Sequence, residues 1–471
     1  MPFESTTTSF LTISLTIIAS LAVFLWLIRN TQWLANLLVL PRDALQTLLG
    51  MSAKLACSAH HISGFRKKRI SEDLRNYSPL FKFVSIEHRG NTTLASLGSL
   101  ISMKAHYDPI LGSSLIPSEQ DENNPTFNFP GTIPTSVNLR RNLETLARRS
   151  HQPLQRMVQE QIRRDAQASL DTRALIVVHG HEILAEAYGP DITASTRLLG
   201  WSMSKSLLAL LFGRMETLGL AYAARTSLFP EWCDDDRTHI SLQNLLQMCD
   251  GLEFDETYSP GTDATRMLFG NLPASRYALQ RKLKFQPGTH FSYSSGSTNL
   301  IARWMHRELG GTQKALTFWQ QEFLKPLGLT STLLELDNDG VFIGSSYGFA
   351  TAAEWARLGA LLLHKGQLNR GNRTPGFLDH EWITRATQPN TSNNDPRYGY
   401  QLWLNGAKQR ASNLPLMYPG LPEHSYFMLG NREQKLMVAP EKNAVVLRLG
   451  WSANPYPVEE RFGEILHSLP T

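Results

Sequence analysis

The chain contains Leu199-Gly200-Trp201-Ser202-Met203-Ser204-Lys205-Ser206-Leu207-Leu208-Ala209-Leu210-Leu211, a Ser-x-x-Lys motif that runs into an apolar helical pattern. Residues three apart on a helix face each other, so the motif places the Ser202 hydroxyl beside the Lys205 amine. A serine hydroxyl becomes an effective nucleophile when a base takes its proton, and a partly desolvated lysine can be that base. The free N–H groups of a helix N-terminus can stabilise an oxyanion. The stretch therefore predicts acyl transfer through a covalent acyl-serine.

The Ser-x-x-Lys motif fixes only two positions, so its interpretation as a catalytic motif needs further evidence from the sequence. A second stretch provides this evidence. Residues 287–296, Pro-Gly-Thr-His-Phe-Ser-Tyr-Ser-Ser-Gly, form a turn signal that leads into Tyr293. A nearby lysine ammonium favours the phenolate form of a tyrosine, so Tyr293 is expected to relay a proton to the leaving group. Ser295 is expected to assist by a hydrogen bond.

Five stretches occur in an order and spacing that resemble the serine hydrolases of the class C β-lactamase superfamily. They are similar in particular to the branch of 6-aminohexanoate-dimer hydrolases and carboxylesterases, and the resemblance extends over about residues 150–470. The stretches are 200–206, 245–252, 287–296, 347–359 and 398–403.

This resemblance implies a nucleophile at Ser202, a base at Lys205 and a proton relay at Tyr293. Lactamases usually have Asn at the third position of the tyrosine motif, where this chain has Ser295. A serine there is typical of the amide- and ester-hydrolysing branch, so the substitution weakens the case for β-lactam hydrolysis.

The family's third motif is Lys or His, any residue, then Gly, on a strand beside the nucleophile. The stretch that aligns with it places Asn431 at the Lys/His position and Glu433 at the Gly position, with Arg432 as a substitute cation. The backbone N–H of Gln434 is expected to join that of Ser202 in an oxyanion hole. This departure from the family's third motif affects which substrate class is expected. It also leaves open the alternative that the site has lost catalytic activity.

Strand patterns at both ends of the body, with helical patterns between them, predict the fold class. A β-hairpin is expected around His179-Gly180-His181, and two strands followed by a last helix are expected from Lys435 to Leu469. We therefore expect an α+β fold of the β-lactamase/transpeptidase type. It would have one antiparallel sheet flanked by helices and an inserted helical subdomain.

The N-terminal segment has the composition of a membrane span. Residues 10–28 are rich in Leu, Ile, Val and Ala and carry no charge, and at about 1.5 Å rise per residue they cross a bilayer. We therefore expect a transmembrane anchor over residues 1–30. A membrane-proximal region with a Pro-rich linker over 31–135 and a hydrolase domain over 136–471 are expected to follow.

The two indications of membrane orientation disagree. Arg29 and Arg42 follow the predicted span, and the positive-inside rule then favours a cytoplasmic body. The resemblance favours the opposite side, because relatives with a penicillin-recognising fold usually work outside the cytoplasm. We expect a single-pass membrane protein with an extracytoplasmic catalytic domain.

Composition excludes several other classes of function. A net charge of +5 over 471 residues, without a basic stripe interleaved with aromatics, argues against nucleic-acid binding. The three cysteines match neither a disulfide framework nor a metal site, and the His179/His181 pair is better explained by a turn. No metal or organic cofactor is expected, and the oligomeric state is open. The three cysteines are Cys57, Cys233 and Cys249.

The function predicted is that of a membrane-anchored serine hydrolase of small-molecule or peptide-like amides or esters. One alternative is a scaffold protein on the same fold that has lost turnover. A second is an α/β-hydrolase with Ser346 in a Gly-x-Ser-x-Gly stretch as nucleophile, completed by Asp379 or Asp395 and His424.

Overall fold

The computed structural model of the chain describes residues 32–99, 101–116, 146–270, 272–367, 376–406 and 414–470. The predicted membrane span over 10–28 lies outside these ranges. Most of the predicted Pro-rich linker, from 117 to 135, also lies outside them.

The N-terminal region consists of a long helix packed on a four-stranded antiparallel meander in the order β1-β2-β3-β4. The helix presents Leu49, Ala53 and Cys57 to buried residues of the sheet, among them Ala95 and Ala105. The elements of this region are α1 (Gln32–His61), α2 (Lys67–Arg75), a 3₁₀ turn (Pro79–Phe83), β1 (Ser85–Arg89), β2 (Thr92–Leu97), β3 (Ile101–Asp108) and β4 (Gly112–Ile116).

The body is built on a seven-stranded sheet in the order β11-β12-β13-β14-β6-β7-β5, and a small sheet has the order β8-β10-β9. All pairs in the large sheet are antiparallel except β5 with β7, and the strand nearest the C-terminus, β14, joins the hairpin β6–β7. The strands are β5 (Ala147–Arg148), β6 (Thr172–His179), β7 (Glu182–Tyr188), β8 (Leu198–Leu199), β9 (Leu333–Leu334), β10 (Gly348–Ala350), β11 (Trp403–Leu404), β12 (Tyr426–Gly430), β13 (Gln434–Ala439) and β14 (Ala444–Gly450).

Helices cover both faces of this sheet, which explains why β6, β13 and β14 are buried along nearly their whole length. The first and last helices of the body, α3 and α13, pack on one face, and α11 packs on the other. The helices are α3 (Gln152–Gln167), α4 (Met203–Thr217), α5 (Leu242–Leu246), α6 (Asp263–Phe269), α7 (Ala274–Leu279), α8 (Ser295–Leu309), α9 (Thr312–Phe318), α10 (Lys325–Leu327), α11 (Ala352–Leu363), α12 (His380–Ala386) and α13 (Val458–His467). The expected α+β architecture, with a sheet closed by both ends of the body, is confirmed.

The transmembrane part of the predicted fold is corrected. Within the described residues, no helix combines the length and the apolar character that a bilayer span requires. The longest of these helices, α1, carries Arg42, Asp43 and Lys54 and packs against the meander. The expectation of a transmembrane helix rested only on the apolar composition of 10–28, and the single-pass membrane location that followed from it is withdrawn with it.

The N-terminal region shares its core with the body. Leu55, Ile70 and Leu74 belong to the same hydrophobic cluster as Trp201 and Leu207 of the body. The predicted boundary at residue 136 therefore separates stretches of sequence whose side chains are buried together.

Buried polar contacts join the two regions as well. Lys54 on α1 forms an ion pair with Glu335, and both side chains are buried. The Glu335 carboxylate also accepts hydrogen bonds from the Ser58 hydroxyl at 2.9 Å and from the Ser113 N–H at 2.7 Å. Arg173 on β6 pairs with Asp73 on α2 at 2.5 Å. These contacts make the N-terminal region a structural part of the body.

We predict that Lys54→Met lowers the free energy of unfolding by about 3–5 kcal/mol, because it leaves the Glu335 charge buried without its partner. Urea denaturation of the full chain measures this change. The control is Arg89→Met, whose side chain is exposed on β1 and should change stability by less than about 0.5 kcal/mol. A loss below about 1 kcal/mol for Lys54→Met would contradict the coupling of the two regions.

Candidate active site

Ser202 and Lys205 meet at the N-terminus of α4. Ser202 occupies the N-cap position, and its side chain caps no backbone N–H. Lys205 lies in the first turn, fully buried, and its Nζ donates a hydrogen bond to Ser202 Oγ at 3.0 Å. Helix α4 is buried on nearly all sides, which holds the lysine in place. Trp201, just before it, is fully buried with a φ of +49°, so the chain enters the helix through a strained residue.

The Lys205 amine has three hydrogen-bond acceptors. They are Ser202 Oγ at 3.0 Å, Ser295 Oγ at 2.9 Å and the Ser345 carbonyl oxygen at 3.0 Å. Burial lowers the pKa of Lys205 from 10.5 to about 8, while the charge of Glu256 opposes this shift. At pH 7 roughly one amine in ten is then neutral.

Tyr293 lies beside this group, directly before Ser294, the N-cap of α8. Its ring stacks on Trp403, with centroids 5.2 Å apart, and Lys205 Nζ lies 5.0 Å from its centroid. Burial raises the pKa of the Tyr293 hydroxyl, and the negative charge of Glu256 raises it further, while a hydrogen bond with Ser202 lowers it. This corrects the expectation of an easily formed phenolate. The phenol keeps its proton, as a proton donor must.

Glu256 is a functional candidate that the sequence did not reveal. Its carboxylate accepts hydrogen bonds from the Ser295 hydroxyl and from the Ser295 N–H, both at 2.6 Å. Its Oε1 lies 3.9 Å from Lys205 Nζ. Burial raises the pKa of Glu256, against the opposing effect of Lys205.

The sequence offered only a weak signal for Glu256. Three acidic residues, Glu253, Asp255 and Glu256, follow the Asp250-Gly251 turn. Glu253 is exposed and lies 3.7 Å from Lys284, and Asp255 accepts a hydrogen bond from Thr257. Only the conformation of the loop turns Glu256, rather than its neighbours, toward the lysine.

The side chains of Asn431 and Gln434 form hydrogen bonds with groups outside the Ser202–Lys205–Ser295 group. The Gln434 side chain accepts from the Gly450 N–H at 2.9 Å and donates to the Gly450 carbonyl at 2.6 Å. Asn431 Nδ2 donates to the hydroxyl of Tyr77 at 3.3 Å. Among the hydrogen bonds of the described residues, none links the side chain of Asn431 or Gln434 to Ser202 or Lys205.

Gly430 lets the end of β12 pack closely against the backbone that precedes Ser202. A Cβ atom added to Gly430 would lie 2.3 Å from the carbonyl oxygen of Gly200, two residues before Ser202. The Glu433 carboxylate instead lies 3.1 Å from Lys435 Nζ and accepts from the Tyr456 N–H. We infer that the Gly position of the third motif is Gly430, three residues before the position expected from sequence.

The connection between β12 and β13 departs from regular strand geometry. Arg432 and Glu433 both have positive φ, at 60° and 66°, in the connection between β12 and β13. This left-handed pair, uncommon for residues other than glycine, interrupts the strand pattern.

The N-terminal region reaches the same end of the sheet through Tyr77. The Arg432 guanidinium lies 3.5 Å from the centroid of the Tyr77 ring. Tyr77 also makes edge contacts with Trp201 at 6.3 Å and with Trp451 at 5.9 Å. An aromatic cluster thus connects the residue before the nucleophile, the β12–β13 connection and the N-terminal region.

The residues proposed for an α/β-hydrolase triad have other partners. Ser346 is fully buried, and its hydroxyl lies 2.9 Å from that of Ser345. His424 is 70% exposed and lies 3.8 Å from Glu441, while Asp379 caps α12 and Asp395 pairs with Arg397. The large sheet is antiparallel but for one edge pair, whereas an α/β-hydrolase requires a parallel sheet. The structure therefore does not bring these residues together as an α/β-hydrolase triad.

The family model for beta-lactamase matches residues 148–461, and the chain belongs to that family. The fold and the surroundings of Ser202 are those of a serine hydrolase with a class C β-lactamase fold.

A curated relative is the 6-aminohexanoate-dimer hydrolase of Paenarthrobacter ureafaciens, 25% identical over 207 residues. The match covers 41% of this chain and 53% of that protein, so it spans about half the length of the relative.

Solved structures resemble the chain in fold. EstCE1, a hydrolase with promiscuous acyltransferase activity, aligns with a TM-score of 0.54 and 15% identity, covering 67% of this chain and 99% of that one. A family VIII carboxylesterase aligns with a TM-score of 0.50 and 12% identity, covering 68% and 98%.

We predict that Gly430→Ala slows reaction at Ser202 by about 100-fold, because the new methyl group pushes the strand away from the nucleophile by an ångström or so. The rate of adduct formation with a fluorophosphonate, followed by intact mass, measures this. Gly463→Ala on α13 is the control, since nothing lies within 4 Å of its added Cβ. Equal rates for the two variants would show that the approach at Gly430 does not matter.

Proposed function

We propose that the protein hydrolyses small-molecule or peptide-like amides or esters through an acyl-enzyme on Ser202. The observation that supports this best is the 3.0 Å hydrogen bond between Lys205 and Ser202 at the start of a buried helix. Lys205 in its neutral form takes the Ser202 proton as Oγ attacks the carbonyl carbon. The similarity to a 6-aminohexanoate-dimer hydrolase and to a family VIII carboxylesterase supports this substrate class.

The oxyanion that forms in this attack needs backbone donors. The N–H groups of Ser202 and Asn431 take no part in the hydrogen bonds found among the described residues. Ser202 heads α4, and Asn431 directly follows the close approach at Gly430. We assign these two N–H groups to the oxyanion hole. Gln434 is less suited, because it pairs with Gly430 in the β12–β13 ladder.

Tyr293 is proposed as the acid that protonates the leaving group. Its hydroxyl is close enough to interact with Ser202, and its raised pKa keeps the proton on the phenol until the bond breaks. Water then attacks the acyl-serine, with Lys205 again as base. This assembled set of groups supports an enzyme over a scaffold that has lost turnover.

We predict that Ser202→Ala abolishes both ester hydrolysis and the fluorophosphonate adduct, because the Ser295 hydroxyl, which also contacts the Lys205 amine, is fully buried and donates its proton to Glu256. Intact-mass analysis of the full chain after labelling measures the adduct. Ser346→Ala is the control and should label as the wild type does. An adduct that persists in Ser202→Ala, or that disappears in Ser346→Ala, would refute the assignment of the nucleophile.

We predict that Tyr293→Phe slows amide hydrolysis by about 100-fold or more and slows hydrolysis of an activated ester by less than tenfold. An anilide needs a proton to leave, and general acid catalysis is typically worth 10²–10⁴-fold, whereas 4-nitrophenolate leaves unprotonated. The measurement compares kcat/KM for 4-nitroacetanilide and 4-nitrophenyl acetate. A loss of the same size on both substrates would mean that Tyr293 has another role.

A further inference from the structure

The proposed reaction requires a neutral Lys205, yet the contacts of the amine are those of an ammonium group. Its three acceptors match the three donors of a protonated lysine, and the Ser345 carbonyl can only accept. At neutral pH most of the amine is protonated, so the resting lysine must lose a proton before it can take one from Ser202. That proton needs a destination.

The hydroxyl of Ser295 connects Lys205 to Glu256. It accepts from Lys205 Nζ at 2.9 Å and donates to Glu256 Oε1 at 2.6 Å. The direct distance from Lys205 Nζ to Glu256 Oε1 is 3.9 Å, too long for a hydrogen bond. A hydroxyl both donates and accepts, so Ser295 forms a continuous path for a proton between the two groups.

We propose that Glu256 receives, through Ser295, the proton that Lys205 loses before it acts as the base. In this step an N–H bond of Lys205 breaks as the proton passes to Ser295 Oγ, and the O–H proton of Ser295 passes to Glu256 Oε1. An ammonium and a carboxylate become an amine and a carboxylic acid, with no change in net charge. The proposal rests on the function proposed above and gives Glu256 and Ser295 a role in it.

The surroundings of Glu256 favour this exchange. Burial disfavours the charged form of both partners, which brings the two proton affinities closer together. The Ser295 N–H holds the second carboxylate oxygen at 2.6 Å, so the first remains aimed at the hydroxyl. The titratable groups that face Glu256 are Lys205 on α4, Tyr293 before α8, Tyr398 before β11, and Asp255 and Tyr258 on its own loop.

The relay changes how the reaction depends on pH. With the relay, the Lys205–Glu256 pair carries one shared proton below about pH 8. How that proton is divided between the two groups does not depend on pH, so a fixed fraction of the lysine stays neutral as the pH is lowered. Without it, the proton must go to solvent, and the rate falls by about tenfold for each pH unit below the pKa of Lys205. The midpoint of that fall is about 8 if Glu256 keeps its charge, and lower if the charge is removed.

The test measures the second-order rate of fluorophosphonate adduct formation on the full-length protein from pH 5.5 to 9.5. We expect a decrease of less than tenfold between pH 8.5 and 6 for the wild type. For Ser295→Ala we expect the labelling rate to fall steeply as the pH is lowered, with a midpoint of about 8. For Glu256→Gln we expect a similarly steep fall in rate with its midpoint at a lower pH. Ser295→Thr keeps a hydroxyl and should restore the wild-type profile. Glu253→Gln, in an exposed neighbour on the same loop, is the matched control.

The outcomes separate the relay from the function on which it rests. If Ser295→Ala and Glu256→Gln label more slowly but with the pH profile of the wild type, the two residues are merely structural and the relay is wrong. If the folded wild type forms no adduct at any pH, the proposed function fails and the relay fails with it.

Discussion

The site depends on burying one amine in the first turn of an apolar helix. Lys205 lies on α4, which is surrounded by core residues on nearly all sides. Desolvation lowers the pKa of this amine to about 8, and its three hydrogen bonds place Ser202, Ser295 and the Ser345 carbonyl around it. These residues come from three separate parts of the chain. The packing that isolates the amine from water therefore also positions the three groups to which it is hydrogen-bonded.

The N-terminal region contributes to this packing although it lies outside the residues that match the family model. Its Lys54 neutralises the buried Glu335, and Tyr77 contacts both Trp201 and Arg432. The strained backbone at Trp201 needs surrounding structure to hold it, and the aromatic cluster provides that support. The cluster is one of the sets of contacts through which the region packs on the body.

Much of the site was predictable because its chemistry is local. Ser202 and Lys205 are three residues apart, and helical geometry alone brings them together. Tyr293 and Ser295 followed from a second motif whose position in the family is known. The β12–β13 connection was not predictable in the same way. Arg432 and Glu433 there have positive φ, and Gly430 rather than Glu433 packs against the Gly200 carbonyl, two residues before Ser202.

The sequence by itself predicted the Ser202–Lys205 pair, the α+β class, and strands at both ends of the body with helices between them, because each depends on short-range spacing and periodicity. It suggested a membrane span from apolar composition, and the described residues contain no such helix. Only the tertiary structure decided that Glu256 faces Ser295, that the N-terminal region shares the core, and that the Tyr293 phenol lies in surroundings that hold its proton. The physical reason is that burial and charge partners depend on residues far apart in the chain, and a sequence pattern does not specify how they meet.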